Sequence, residues 1–122
     1  MRSSEVLLMK AEAQAQSGDA TGAKATLNIL LAARTKTGAT PLTCDTYPSM
    51  ANMTALQMVQ LQTRIEMWGE NGLEFFNNKR WNISVDRTNS SNHIDKTSYS
   101  VAKMTLQIPE EETLYNPLCV QN

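Results

Sequence analysis

SSEVLLMKAEAQAQSGDATGAKATLNILL, residues 3–31, is the stretch that decides the fold. Leu7, Ala11 and Ala15 recur at four-residue steps, and Val6, Met9 and Ala13 widen the same apolar face, the period of an amphipathic helix. Ser3 is expected to cap this helix, and Glu5 suits a first turn whose unpaired N–H groups favour an acid. Gly18-Asp19 then joins a residue that tolerates the left-handed backbone of a helix end to one that accepts N–H groups at the next helix start. The second helix carries Ala23, Leu27, Leu30 and Leu31 at steps of four, three and one, a stripe that can face the first. Small residues Ala11, Ala13 and Ala23 allow the two backbones to approach. A helix pair over about residues 3–36, hinged at Gly18-Asp19, is the expectation.

Outward from that pair, residues 37–53 hold Gly38, Pro41 and Pro48 with no sustained period and read as a long loop, a class of segment that is often functional or mobile. Thr54 and Gln57 have the spacing of a capping box, and Met58, Leu61, Ile65 and Trp68 follow at steps of three, four and three. This predicts a helix over about 54–79 that breaks near Gly69 or Gly72, after which Leu73, Phe75, Phe76 and Trp81 form an aromatic-rich group. Placed beside Ile65 and Leu73, these rings and Trp68 are expected to be core. Residues 80–122 read as irregular, with a polar stretch over 82–100, weak strand-like alternation over Val101–Ile108, and a short helix that Pro109 opens at its first position. The fold class is therefore mainly α, with long loops and little strand, in one domain spanning 1–122.

Composition removes several classes of function. Eleven Lys and Arg against twelve Asp and Glu leave a formal charge of -1, which gives no field to hold nucleic acid. No apolar run approaches the roughly 20 residues of a membrane span, and Met1-Arg2-Ser3-Ser4-Glu5 lacks the apolar core of a signal peptide. Cys44 and Cys119 stand far apart, so their spacing spells no metal pair or redox motif, and the expectation is two free thiols that behave as small apolar residues. His93 is the single histidine, in the polar stretch 88–93, where a solvated loop residue is expected. No metal, cofactor or catalytic site is expected: the chain has no phosphate-cradling loop, no nucleophile elbow and no histidine placed to serve a nucleophile.

Glu66, Glu70 and Glu74 at four-residue spacing suggest an acid/base set on one face, but a solvated face balanced by Arg64, Lys79 and Arg80 explains them more simply. Glu110, Glu111 and Glu112 read as acids at a helix N-terminus, since three adjacent helical residues point apart. Trp68 and Trp81 are the ligand-binding candidates, as aromatic planes on which a sugar's apolar face packs, although core is the favoured reading of both. Asn52-Met53-Thr54, Asn82-Ile83-Ser84 and Asn89-Ser90-Ser91 match the glycosylation acceptor, a pattern too short to carry weight in an Asn- and Ser-rich chain.

Three segments, taken in order, resemble the C-terminal portion of the SusD/RagB family, nutrient-binding lipoproteins of Bacteroidetes outer membranes. Residues 1–13, Met-Arg-Ser-Ser-Glu-Val-Leu-Leu-Met-Lys-Ala-Glu-Ala, are similar to the family's Arg-x-x-Glu-Val-x-Leu-x-x-Ala-Glu-Ala helix, and Gly18-Asp19, Ala23 and Leu27-Asn28 continue it. Residues 62–81 resemble its Arg-x-x-Glu-Leu-x-x-Glu-Gly-x-Arg-Phe-x-Asp-x-x-Arg-Trp, with Asn71 inserted before Gly72, Glu74 in place of the usual Arg and Asn77 in place of Asp. Leu106-Gln107-Ile108-Pro109-Glu110-Glu111-Glu112, then Asn116-Pro117-Leu118 and Gln121-Asn122, are similar to the closing Pro-Ile-Pro-x-x-Glu-Ile and Asn-Pro-x-x-x-Gln-Asn.

The resemblance implies tetratricopeptide-like helix pairs in a surface lipoprotein that captures glycans or peptides without catalysis and hands them to a SusC-like TonB-dependent transporter. It also implies that a carbohydrate ligand is held largely by parts upstream of this segment, and the signal peptide and lipid-bearing cysteine of the family have no counterpart here. The matching motifs pack helices and close the chain, so no sugar-binding residue is carried over from them. A free-standing tetratricopeptide-like module that binds a protein or peptide is the alternative, and a small hydrolase using Glu66 or Glu70 a weaker third. Because a single helix pair cannot bury both its faces and such repeats need about three units, the isolated chain is expected to self-associate.

Overall fold

The computed structural model describes residues 2–70 and 72–121. Met1, Asn71 and Asn122, which stand in the motifs quoted above, lie outside the described residues. The chain is mainly α and divides into two compact units, residues 1–74 and 75–122.

The first unit is built on α1 (Ser3–Gln16), α2 (Ala20–Arg34) and α3 (Ala55–Glu66), with each pair in contact. The turn between α1 and α2 has the predicted chemistry. Gly18 takes φ 89°, which lets the Asp19 N–H return to the Gln14 carbonyl at 2.9 Å, and Asp19 then accepts the Gly22 N–H at 2.8 Å as N-cap of α2. Inside the pair, the Thr26 hydroxyl donates to the Gln14 side-chain oxygen at 2.7 Å. The α2 stripe of Ala23, Leu27, Leu30 and Leu31 is buried throughout.

The α1 face differs from expectation. Ser4, Leu8, Ala11 and Glu12 are its buried residues, while Val6, Met9 and Ala13 are exposed on the opposite side. Both sets keep helical spacing, and the neighbours decide between them: α2 and α3 both pack on the Leu8–Ala11 side. Ser3 is the first helical residue rather than the cap. Arg2 holds the cap position because Glu5 reaches back to accept its N–H at 3.3 Å.

Residues 37–53 form a packed strap. Asn28 accepts the Cys44 N–H at 2.8 Å, and a 3₁₀ turn at Pro48–Met50 carries Met50 into the core. Cys44 and Met50 lie with Leu8, Leu27, Leu31, Met58 and Val59 in one cluster, with Tyr47 and Met53 packed on its edge. Helix α3 then opens with the predicted capping box: Gln57 accepts the Thr54 N–H at 2.9 Å, and the Thr54 hydroxyl accepts the Gln57 N–H at 3.3 Å.

The expected helix over 54–79 is two helices. The first, α3, ends at Glu66, Gly69 turns the chain at φ 73°, and α4 spans Leu73–Trp81, crossing the boundary between the units. The second unit contains the rest of α4, a two-stranded antiparallel ribbon of β1 (Val85–Asp86) and β2 (Ser98–Tyr99), a 3₁₀ turn at Val101–Met104 and α5 (Glu110–Tyr115). The strand expected over 101–108 is replaced by that turn. Strand β1 ends as Asp86 accepts the Thr88 N–H at 2.9 Å in a side-chain turn, so the ribbon is short. Pro109 stands at the N-cap of α5, one residue ahead of the expected place, and Glu110, Glu111 and Glu112 fill its first turn.

Candidate functional site

The three spaced acids form no acid/base set, because each is held by an arginine. Glu66, at the end of α3, has a side chain only 7% exposed; Arg34 Nε donates to its Oε2 at 2.9 Å and Arg34 Nη2 to its Oε1. This fork draws the Glu66 carboxyl below the ordinary carboxylate range; burial opposes the shift, and Ser4 adds a further hydrogen bond to the charged form. The same contact raises the Arg34 guanidinium. Arg2 Nη2 donates to the Glu66 carbonyl at 2.9 Å and pairs with Glu70 Oε1 at 2.5 Å. Glu74 pairs with Arg64 at 2.5 Å. Of the counter-charges expected from spacing, Arg64 takes that role at Glu74, while Arg34 and Arg2 come from distant sequence. Glu66 thus ties all three helices of the first unit together, and its chemistry is structural.

The aromatic side chains do not form the expected core. Trp68 is 86% exposed, because α3 ends at Glu66, Met67 takes the core position, and the turn at Gly69 leaves the indole outside. Spacing extrapolated from Ile65 assumed a helix that has already stopped, and Ile65 is itself exposed. Phe75 and Phe76 are exposed and meet edge to face at 5.6 Å. Lys79 lies over Phe75 at 5.7 Å, and the Arg80 guanidinium lies over half-buried Trp81 at 5.0 Å. Trp68 belongs to the first unit and Trp81 to the second. Of the two, Trp68 is the more exposed ring.

His93 is exposed, as expected for a loop residue. Both cysteines are free, and burial pushes the Cys44 thiol up, which suits an apolar core residue. No cluster of His, Cys, Asp or Glu that could hold a metal ion occurs among the described residues, and no described helix is long and apolar enough to cross a membrane. Asn52 and Asn82 sit at φ 62° and 55°, so asparagine at these acceptor-like positions answers a left-handed turn.

Two hollows on the surface bear on the site. In the first unit a notch of about 230 Å³ lies among Leu31, Leu42, Tyr47 and Ile65, with the Arg34–Glu66 pair at its rim. Its one strong cation is already committed to Glu66, so the notch is chiefly apolar. In the second unit a hollow of about 340 Å³ is lined by Phe75, Val85, Arg87, Tyr99, Lys103 and Met104. Trp68 and Trp81 line neither hollow. Sequence reasoning passed over Arg87 and Tyr99 in the polar stretch 82–100 and Lys103 in the strand-like segment after it; the alternation of Val85 and Arg87 was the available signal.

Comparison with curated proteins and with solved structures gave no match. The model of the SusD family matches residues 1–122, from the helix that Arg2 caps to the segment that α5 closes, and the chain belongs to the SusD family.

Proposed function

We propose that this chain is a non-catalytic part of a surface nutrient-binding protein that recognises glycan at the outer membrane and works with a SusC-like TonB-dependent transporter. The observation that carries the reading is the family match along residues 1–122. Two features of the molecule support it. The acids that would have served a hydrolase are spent on Arg34, Arg2 and Arg64. Trp68 presents a bare aromatic plane next to a glycine turn, the kind of surface on which a pyranose stacks. The helix pair and α3 act as the scaffold, and their exposed α1 face supports packing against further helices of the same kind.

Affinity electrophoresis through gels carrying a panel of neutral and acidic polysaccharides tests the proposal. Retardation by at least one glycan, reduced about tenfold by Trp68→Ala, is expected, since base- or sugar-type stacking on an aromatic is worth roughly 1–3 kcal/mol. A chain retarded by no glycan, yet bound by a peptide at the exposed α1 face, overturns the reading in favour of a protein-interaction module.

A further inference from the structure

The hollow of the second unit has a built chemistry. Successive residues of a strand alternate sides, so Val85 and Arg87 share one face of the ribbon and Asp86 takes the other. Val85 pairs with Tyr99 across the ribbon, and the Arg87 N–H donates to the Thr97 carbonyl at 3.1 Å, extending the ladder by one step. This register lays the Arg87 guanidinium over the Tyr99 ring, 5.4 Å from its centroid. The 3₁₀ turn at Val101–Met104 buries Met104 as the floor and sets Lys103 at the rim, with Phe75 as a second aromatic wall.

Arg87 and Lys103 make no ion pair among the described residues. Both act on Asp95: its carboxylate accepts the Tyr99 hydroxyl, which together with Thr97 draws its carboxyl down, and the two cations add to this from further away. Two cations therefore face one acid that is already hydrogen-bonded elsewhere. The volume of about 340 Å³ is at the low end for small-molecule pockets, enough for one ring and its substituents.

We propose that this hollow binds an acidic sugar ring, a hexuronate residue of a glycan. Its carboxylate meets Arg87 and Lys103, and its C–H face packs on Tyr99 or Phe75. A neutral sugar would leave both cations without an ion pair, and an acyclic anion would leave the apolar wall of the hollow without a ring packed against it. This inference rests on the glycan-binding reading and narrows it to acidic glycans.

Isothermal titration of the full chain with trigalacturonate and with neutral galactotriose is the test. The acidic trimer is expected to bind at least tenfold more tightly. Arg87→Gln and Lys103→Gln should each weaken it fivefold or more without changing affinity for the neutral trimer, and raising ionic strength from about 0.05 to about 0.5 M should weaken it further. Equal affinities for the two trimers, with both substitutions silent, overturn the inference and leave glycan binding intact. Failure of trigalacturonate to bind overturns it as well, and the broader reading falls too only when every glycan of the panel, neutral and acidic, fails to bind. Should Arg87→Gln disturb the ribbon by uncovering Tyr99, the exposed Lys103→Gln variant decides alone.

Discussion

Replacing Arg34 by alanine leaves Glu66 with a carboxylate whose side chain is 7% exposed and whose forked partner is gone. Breaking a fully buried pair costs about 3–5 kcal/mol, whereas an exposed pair is worth about 0–1. Arg34 is itself 53% exposed, and Ser4 and Arg2 still act on Glu66, so the expected loss lies between these limits, at about 1–2 kcal/mol. The pH dependence has a definite sign. The folded-state carboxyl is lowered from its ordinary 4.5, so the stability it contributes is present above that value and is lost as pH falls through the folded-state value. Urea titrations followed by circular dichroism at pH 7 and near pH 3 measure the effect. The gap between the native chain and Arg34→Ala should be wide at neutral pH and narrower in acid, and the double variant with Glu66→Gln should show a coupling of about 1 kcal/mol. A gap that is the same at both pH values, or below about 0.3 kcal/mol at pH 7, would refute the account of Glu66 as the tie between helices.

Other consequences are simpler to read. Leu27 is 1% exposed at the centre of the helix pair, so Leu27→Ala should lower stability by about 2–5 kcal/mol in the same titration. Gly22→Ala, which in an open helix gains about 1 kcal/mol, should instead destabilise by about that amount. A Cβ there overlaps the Asp19 carboxylate held by its cap and lies 2.6 Å from the Gln14 amide held by Thr26, so a gain in midpoint would count against the geometry of this turn. Val6 and Met9, 50% and 58% exposed on the outer face of α1, should drive self-association of the isolated chain at high concentration, and Val6→Glu with Met9→Lys should return a monomer in sedimentation. A native chain that stays monomeric throughout would show that this face needs no cover.

Local chemistry was legible where it closes within a few residues. Gly18-Asp19 and Thr54-Gln57 specify their own partners, and the structure returns both motifs. The stripe on α2 was also legible, since α1 and α3 together cover it. Long-range choices were not. Arg34 lies 32 residues from Glu66, and sequence proximity pointed instead to Arg64, Lys79 and Arg80, of which Arg64 pairs with Glu74. The strap at 37–53 looked like an unstructured loop because Cys44 and Met50 enter the core without any period. Trp68 was misplaced because a helix that stops two residues earlier no longer projects the next step inward.

The two faces of α1 join these points. Its apolar residues are not confined to one side, with Leu7 and Leu8 adjacent and Val6, Met9 and Ala13 opposite Leu8 and Ala11. Such a helix has a weak directional preference, so its spacing alone does not say which side is inward. Within the first unit α2 and α3 cover one of these sides. The alanines fit the same logic: Ala11 is buried against the pair, while Ala13 offers an equally close approach on the exposed side. The ambiguity in reading α1 is therefore a property of the molecule, a helix with apolar residues on both sides and its first-unit neighbours on one.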